Sequence, residues 1–135
     1  MREADRGAVV RATDVEAKPV NRARGATMAV LVGPQMRAPR FITRRFALAP
    51  GGRIPTHRHD TIEHEQVVTR GAMELVLDGR AQTVQAGDVV LIPAGCAHSY
   101  ENRGAETCEF ICVVPATSDY QTEWLEPPPE GAHLA

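Results

Sequence analysis

Four of the five histidines in this 135-residue chain fall into two groups: His57, His59 and His64 lie close together, and His98 follows later. Imidazole is the commonest protein ligand for transition metals, and in its neutral form one ring nitrogen offers a lone pair. His57 and His59 stand two apart, so on an extended segment both rings project to the same side. His64 comes after a short bend, and His98 after the turn Pro93-Ala94-Gly95. Two such pairs brought together by a fold can hold one ion and leave two positions open if the metal takes six ligands. A closed structural zinc site draws more often on cysteine, and Cys96, Cys108 and Cys112 lack the spacing for one. Any of these histidines taken alone would be expected at the surface or hydrogen-bonded in the core. The expectation of a metal rests on the four together.

The elements that position them read as strands. β-rich runs at 28–32, 41–48, 66–69, 73–77, 81–84, 89–92 and 107–114 alternate with turn signals. These signals are Gly33-Pro34, Pro50-Gly51-Gly52, Asp78-Gly79, Gly87-Asp88, Pro93-Ala94-Gly95 and Asn102-Arg103-Gly104. Asp78-Gly79 predicts a two-residue hairpin, because a type I′ turn needs positive φ at both central positions. Many short strands at this spacing predict an all-β sandwich or barrel. The chain is long enough for one domain with its own core. The barrel is expected over 27–115, preceded by an N-terminal segment at 1–26 and followed by a tail at 116–135. The first segment is expected to add an edge or swapped strand around Ala8 to Arg11. In the tail, Glu126-Pro127-Pro128-Pro129-Glu130-Gly131 cannot continue a sheet, and Trp124 is expected to pack over the barrel or a partner subunit.

Alternation assigns faces. Glu109 must meet water, which turns Cys108, Phe110 and Cys112 inward; Glu74 likewise turns Met73, Leu75 and Leu77 inward. In 41–48 the more apolar set is Ile42, Arg44, Phe46 and Leu48, and it carries Arg44 toward the interior. A buried arginine needs a partner or a ligand. Arg44 either reaches the rim, pairs with a carboxylate or contacts substrate. The other arginines of its cluster (Arg37, Arg40, Arg45) and the pair Arg22 and Arg24 are expected on a solvated surface.

Composition excludes more than it suggests. A formal net charge of −2 gives no support to a nucleic-acid or membrane partner. No apolar run is long enough to span a bilayer, and Met1-Arg-Glu-Ala-Asp is too polar to open a signal peptide. Three cysteines, an odd count, are expected as reduced thiols in a cytoplasmic protein.

The histidines sit in two motifs that carry a family resemblance. Gly51-x5-His57-x-His59-x4-His64-x6-Gly71 resembles the first cupin motif, and Gly87-x5-Pro93-x-Gly95-x2-His98-x3-Asn102 resembles the second at every fixed position. The resemblance implies an antiparallel jelly-roll barrel holding a metal inside its wider end. At one position the chain departs from the pattern: His64 stands where glutamate is usual, flanked by Glu63 and Glu65. The expected ligands are His57, His59, His64 and His98, with Glu63 replacing His64 if the bend shifts the register by one. Four neutral imidazoles leave a dication uncompensated, which favours anionic ligands such as enolates or carboxylates.

The chain is similar to small single-domain cupins with tetra-histidine manganese or copper sites. That likeness implies pocket walls at Arg44, Phe46, Phe110 and Cys112. Ile54 is expected beside them, with Gln66 and Tyr100 placed by parity with His64 and His98. One divalent transition metal per chain is implied, Mn or Fe favoured and Cu, Zn or Ni possible, together with a small-molecule substrate and a homodimer. The first functional expectation is a metal-dependent oxygenase acting on a small aromatic or alkenyl substrate. The alternatives are a non-redox cyclase, isomerase or lyase, and a ligand-binding cupin without turnover.

Overall fold

The computed structural model describes residues 7–135. Ten strands follow in chain order: β1 (Lys18–Pro19), β2 (Arg24–Val32), β3 (Phe41–His59), β4 (His64–Arg70), β5 (Ala72–Leu77), β6 (Arg80–Gln85), β7 (Val89–Ile92), β8 (His98–Glu101), β9 (Cys108–Pro115) and β10 (Thr122–Trp124). Every pairing is antiparallel, and the hydrogen-bonded order is β6-β5-β8-β3-β9-β4-β7, with β2 and β10 also on β3 and β1 on β2. The sheet curls into a barrel, as the strand pattern predicts, and its form is the jelly roll that the resemblance implies. No helix among the described residues is long and apolar enough to cross a membrane.

The axis of the architecture is β3, 19 residues long. Its first half lies between β2 and β9, its middle meets β8, and its last three residues pair with β10. Sequence reading ends this strand at Leu48 and places a turn at Pro50-Gly51-Gly52. Instead these residues bend a continuous strand. The register with β2 passes from Ala26↔Leu48 to Arg24↔Arg53, so β3 carries extra residues opposite Gly25. A Cβ on Gly52 would lie 2.7 Å from the Gly25 carbonyl oxygen and 2.8 Å from that of Ala49. Only glycine permits that approach, and the bulge turns the strand from one face of the barrel to the other.

A second irregularity lies between the pairs Ile54↔Tyr100 and His57↔His98, where β3 advances three residues against two on β8. The additional residue reverses the alternation. Before it, even-numbered residues face inward; after it, His57 and His59 do.

The interior is apolar and closely packed. Leu48, Val68, Leu75, Ile92, Phe110 and Val114 are all buried. Phe110 is stacked between Phe46, at 5.0 Å between ring centres, and Tyr100, at 5.1 Å. Cys108, Phe110 and Cys112 face inward, as Glu109 requires. The three cysteines are free thiols, and burial, followed by the Glu109 charge, pushes the Cys108 thiol up to about 11.

The ends differ from expectation in detail. No strand forms at Ala8 to Arg11; the edge strand is β1, pairing Lys18 with Met28 and Pro19 with Thr27. Residues 1–6 of the expected N-terminal segment lie outside the described residues. The tail is held to the barrel: His133 N donates to the Ala23 carbonyl at 2.8 Å, and Arg22 N to the His133 carbonyl at 2.7 Å.

Candidate metal centre

The bend in β3 and the start of β8 bring the histidines together. The ligand nitrogens of His57, His59 and His98 lie within 4.8 Å of one another. His64, the first residue of β4, places its ring 5.1 Å from that of His59 and 5.3 Å from that of His98. All four line one cavity of about 380 Å³, within the size range of small-molecule sites. Glu63, the fallback, is exposed, so the bend does not shift the register.

Hydrogen bonds fix the rings. His57 Nδ1 bonds to the Pro55 carbonyl at 2.8 Å, His98 Nδ1 to the Cys96 carbonyl at 2.9 Å, and His59 Nδ1 to the Tyr120 carbonyl at 3.0 Å. A carbonyl oxygen only accepts, so each Nδ1 carries the proton and each Nε2 keeps its lone pair. This is how metal-binding histidines are usually oriented, and the donor set suits a transition ion. His64 Nδ1 is buried and has no partner among the described residues.

The imidazoles are also held neutral. Burial is the largest cause for each, with Arg44 acting in the same direction on all four and neighbouring histidines on His57, His64 and His98. From an ordinary 6.5 it lowers His57 to about 3, His64 to about 2 and His98 to about 4, and it lowers His59 as well. Neutral nitrogens bind a cation without first losing a proton. In metal-free protein the same shifts oppose acid. Above pH 6.5 the histidines are neutral in both states; below it the unfolded chain takes up protons that the folded chain refuses. Stability should therefore fall from pH 6.5 toward the folded values, by about 1.4 kcal/mol per pH unit for each histidine so affected. Urea midpoints of chelator-treated protein at pH 7.5, 6 and 5 check this, and a flat series would contradict it.

Arg44 enters the same cavity. Its guanidinium lies against the rings of Phe46 at 5.0 Å and Tyr120 at 5.3 Å, and Nη2 donates to Cys112 Sγ at 3.2 Å. It pairs with no carboxylate among the described residues, and its buried Nε has no partner. Gln66 Nε2 donates to Tyr100 Oη at 2.7 Å, while its buried Oε1 has no partner. Phe46, Ile54, Gln66 and Tyr100 line the cavity together with Arg44. Phe110 and Cys112, also expected in the wall, stand one layer behind it: Phe110 backs Phe46 and Tyr100, and Cys112 supports Arg44 and Gln66. No acidic side chain lines the cavity among the described residues.

Part of the wall was not read from the sequence. Residues 18–21 and Met28 from the N-terminal side, and Tyr120, Thr122 and Trp124 from the tail, complete it. Trp124 packs 4.8 Å from His57, over the barrel of its own chain. The β-branched and aromatic run Tyr120-Gln121-Thr122-Glu123-Trp124 was the available strand signal.

The chain is similar to known proteins in sequence and fold. Over 102 residues the chain is 29% identical to the polyketide synthase CurC of Streptomyces cyaneus, covering 75% of this chain and 66% of that protein, just under two thirds of its length. Among solved structures, the polyketide cyclase RemF from Streptomyces resistomycificus superposes with a TM-score of 0.81 at 32% identity, over 92% of this chain and 90% of that one. A predicted oxalate decarboxylase of Thermotoga maritima superposes at 0.73 and 25% identity, over 82% of this chain and all of that one, 100%. The sequence model of the cupin domain matches residues 44–114, more than half of the chain and the stretch that carries all four histidines. The chain belongs to the cupin family.

Proposed function

We propose that this protein binds one divalent transition metal through His57, His59, His64 and His98 and closes a ring in a poly-β-ketone chain, a non-redox cyclisation. The observation that carries this reading is the charge of the cavity: four neutral imidazoles with Arg44 and Lys18, and no acidic side chain among the described lining residues. A bound dication there would be uncompensated, so the site favours an anionic oxygen ligand, and the enolate of a 1,3-dicarbonyl is one. The likeness to RemF and CurC supports the substrate class.

When bound, the ion supplies Lewis acidity toward a carbonyl or enolate oxygen. The chain's own residues do the rest. Arg44 is free to hold a second anionic oxygen, since no carboxylate among the described residues pairs with it. Gln66 Oε1 lacks a donor that an enol hydroxyl can supply. Burial pushes the Tyr100 hydroxyl well above its ordinary range, so at neutral pH it serves as a hydrogen-bond donor and not as a base. Phe46, Ile54, Tyr120 and Trp124 exclude water and confine a folded chain against flat surfaces. With no carboxylate in the lining among the described residues, the pocket's role is to choose which carbon meets which carbonyl, by shape and charge.

The test is a metal panel. Metal-free protein loaded separately with Zn, Mn, Fe(II) or Cu is offered a linear triketone acid, with dioxygen followed alongside. Ring closure with Zn and no oxygen uptake is the expected result. Activity confined to redox metals with oxygen consumed would return the oxygenase expectation, and binding without conversion under every metal would make the protein a ligand carrier. In the active form, Arg44→Gln should raise KM roughly 10- to 100-fold, the loss of a charged hydrogen bond, while leaving metal content unchanged.

A further inference from the structure

His57 and His98 are each oriented by a carbonyl two residues earlier on their own strand, Pro55 and Cys96. His59 is not. Its Nδ1 is held by the carbonyl of Tyr120, 61 positions later, with Thr122 Oγ1 at 3.1 Å from the same nitrogen. Because the Tyr120 carbonyl fixes the proton on Nδ1, the Thr122 hydroxyl is a second acceptor for it. The segment that provides these atoms runs from Tyr120 into β10, which lies antiparallel on the end of β3 with Thr122 opposite His59 and Trp124 opposite His57.

This segment is tied down just beyond the cavity. Glu126 accepts from Thr56 N at 2.7 Å and from the Thr56 hydroxyl, and Arg53 Nη2 spans its two oxygens at 2.9 and 3.0 Å. Leu125 N donates to the Thr56 carbonyl at 2.9 Å. Without the segment, the edge of β3 that bears two histidines has no strand partner on that side, and one wall of the cavity is missing.

We infer that Tyr120–Glu126 is a positioning strap of the histidine cluster: latched by Glu126 onto Arg53 and Thr56, it sets the ring orientation and tautomer of His59, the histidine whose Nδ1 it holds. The inference rests on the reading of the four histidines as metal ligands. Tyr120 and Thr122 act through His59, and Glu126 acts through both of them.

The strap is tested by Glu126→Ala, with Glu126→Gln as the conservative variant that keeps an acceptor for Thr56 N. Histidine ring nitrogens are read by ¹⁵N NMR on metal-free protein at neutral pH, and Zn(II) affinity by chelator competition. In Glu126→Ala, His59 should lose its fixed Nδ1–H form while His57 and His98 keep theirs, and Zn(II) affinity should fall about 10- to 100-fold. Glu126→Gln should recover most of both. If Glu126→Ala does not fold, a smaller change of the same kind in Glu126→Gln carries the inference. A His59 tautomer and Zn(II) affinity unchanged in both variants would overturn it. So would equal loosening of all three histidines, which marks a general structural role. Neither readout uses turnover, so a failure of the cyclase reading leaves this result standing. Absence of Zn(II) binding in the unsubstituted protein would count against the metal reading, while the tautomer still reports the strap.

Discussion

A His57→Ala/His98→Ala variant is expected to purify with less than about a tenth of an equivalent of divalent metal, against about one per chain in the unsubstituted protein. Both residues belong to the trio whose ligand nitrogens lie within 4.8 Å, and both are oriented by their own strands. Their removal leaves only His59 and His64, with ring centres 5.1 Å apart. Two donors do not hold an ion against water and buffer as four do. Elemental analysis after purification without a nickel column reads the content. A second reading comes from linkage: metal at a hundred times its Kd should stabilise the unsubstituted protein by about 2.7 kcal/mol and the variant not at all. Near-stoichiometric metal in the variant would remove the site from this cavity.

Phe110→Ala should cost about 3–5 kcal/mol, the range for deleting a buried aromatic ring. The ring is 1% exposed and stacks on both sides, so neighbours cannot refill its volume without leaving their own positions. Domains of this kind hold about 5–15 kcal/mol in all, and the loss takes a large share of it. Phe46 and Tyr100 both lean on this ring, so ligand binding should weaken as well. Urea unfolding followed through Trp124 measures the change. A loss below about 1 kcal/mol would mean that the ring does not bear on the core as its stacking implies.

The sequence made the barrel and its histidines legible because both depend on local counting. Asp78-Gly79 predicts its hairpin, and both residues do have positive φ, 48° and 80°. Glu109 on one face of β9 sufficed to turn Phe110 and Cys112 inward. Asn102 closes the second motif for a physical reason: fully buried, it donates to the carbonyls of Leu48 at 2.9 Å and Glu106 at 2.8 Å, and accepts from Gly104 N at 2.9 Å. What stayed hidden depends on distance along the chain. Pro50-Gly51-Gly52 has the composition of a turn, and only the backbone of Gly25 crossing it shows why a strand needs those glycines. The tail strand is three residues long, too short for alternation to register, and its partner lies more than sixty residues earlier. Phe110 and Cys112 were assigned the correct face of β9, but alternation cannot say how many layers separate that face from a cavity.

The additional residue of β3 between Ile54 and His57 gives the site a counting rule. Ile54 and His57 both face the cavity although three positions separate them, because the strand loses phase with β8 once, at Pro55-Thr56. Substitution at either position leaves that phase intact. Deletion of one of them would restore strict alternation, two residues against two, with His57 standing two after Ile54 and still on the cavity side. The irregularity therefore decides which side chains of this stretch reach the cavity, Ile54 and His57, and which two lie between them, Pro55 and Thr56.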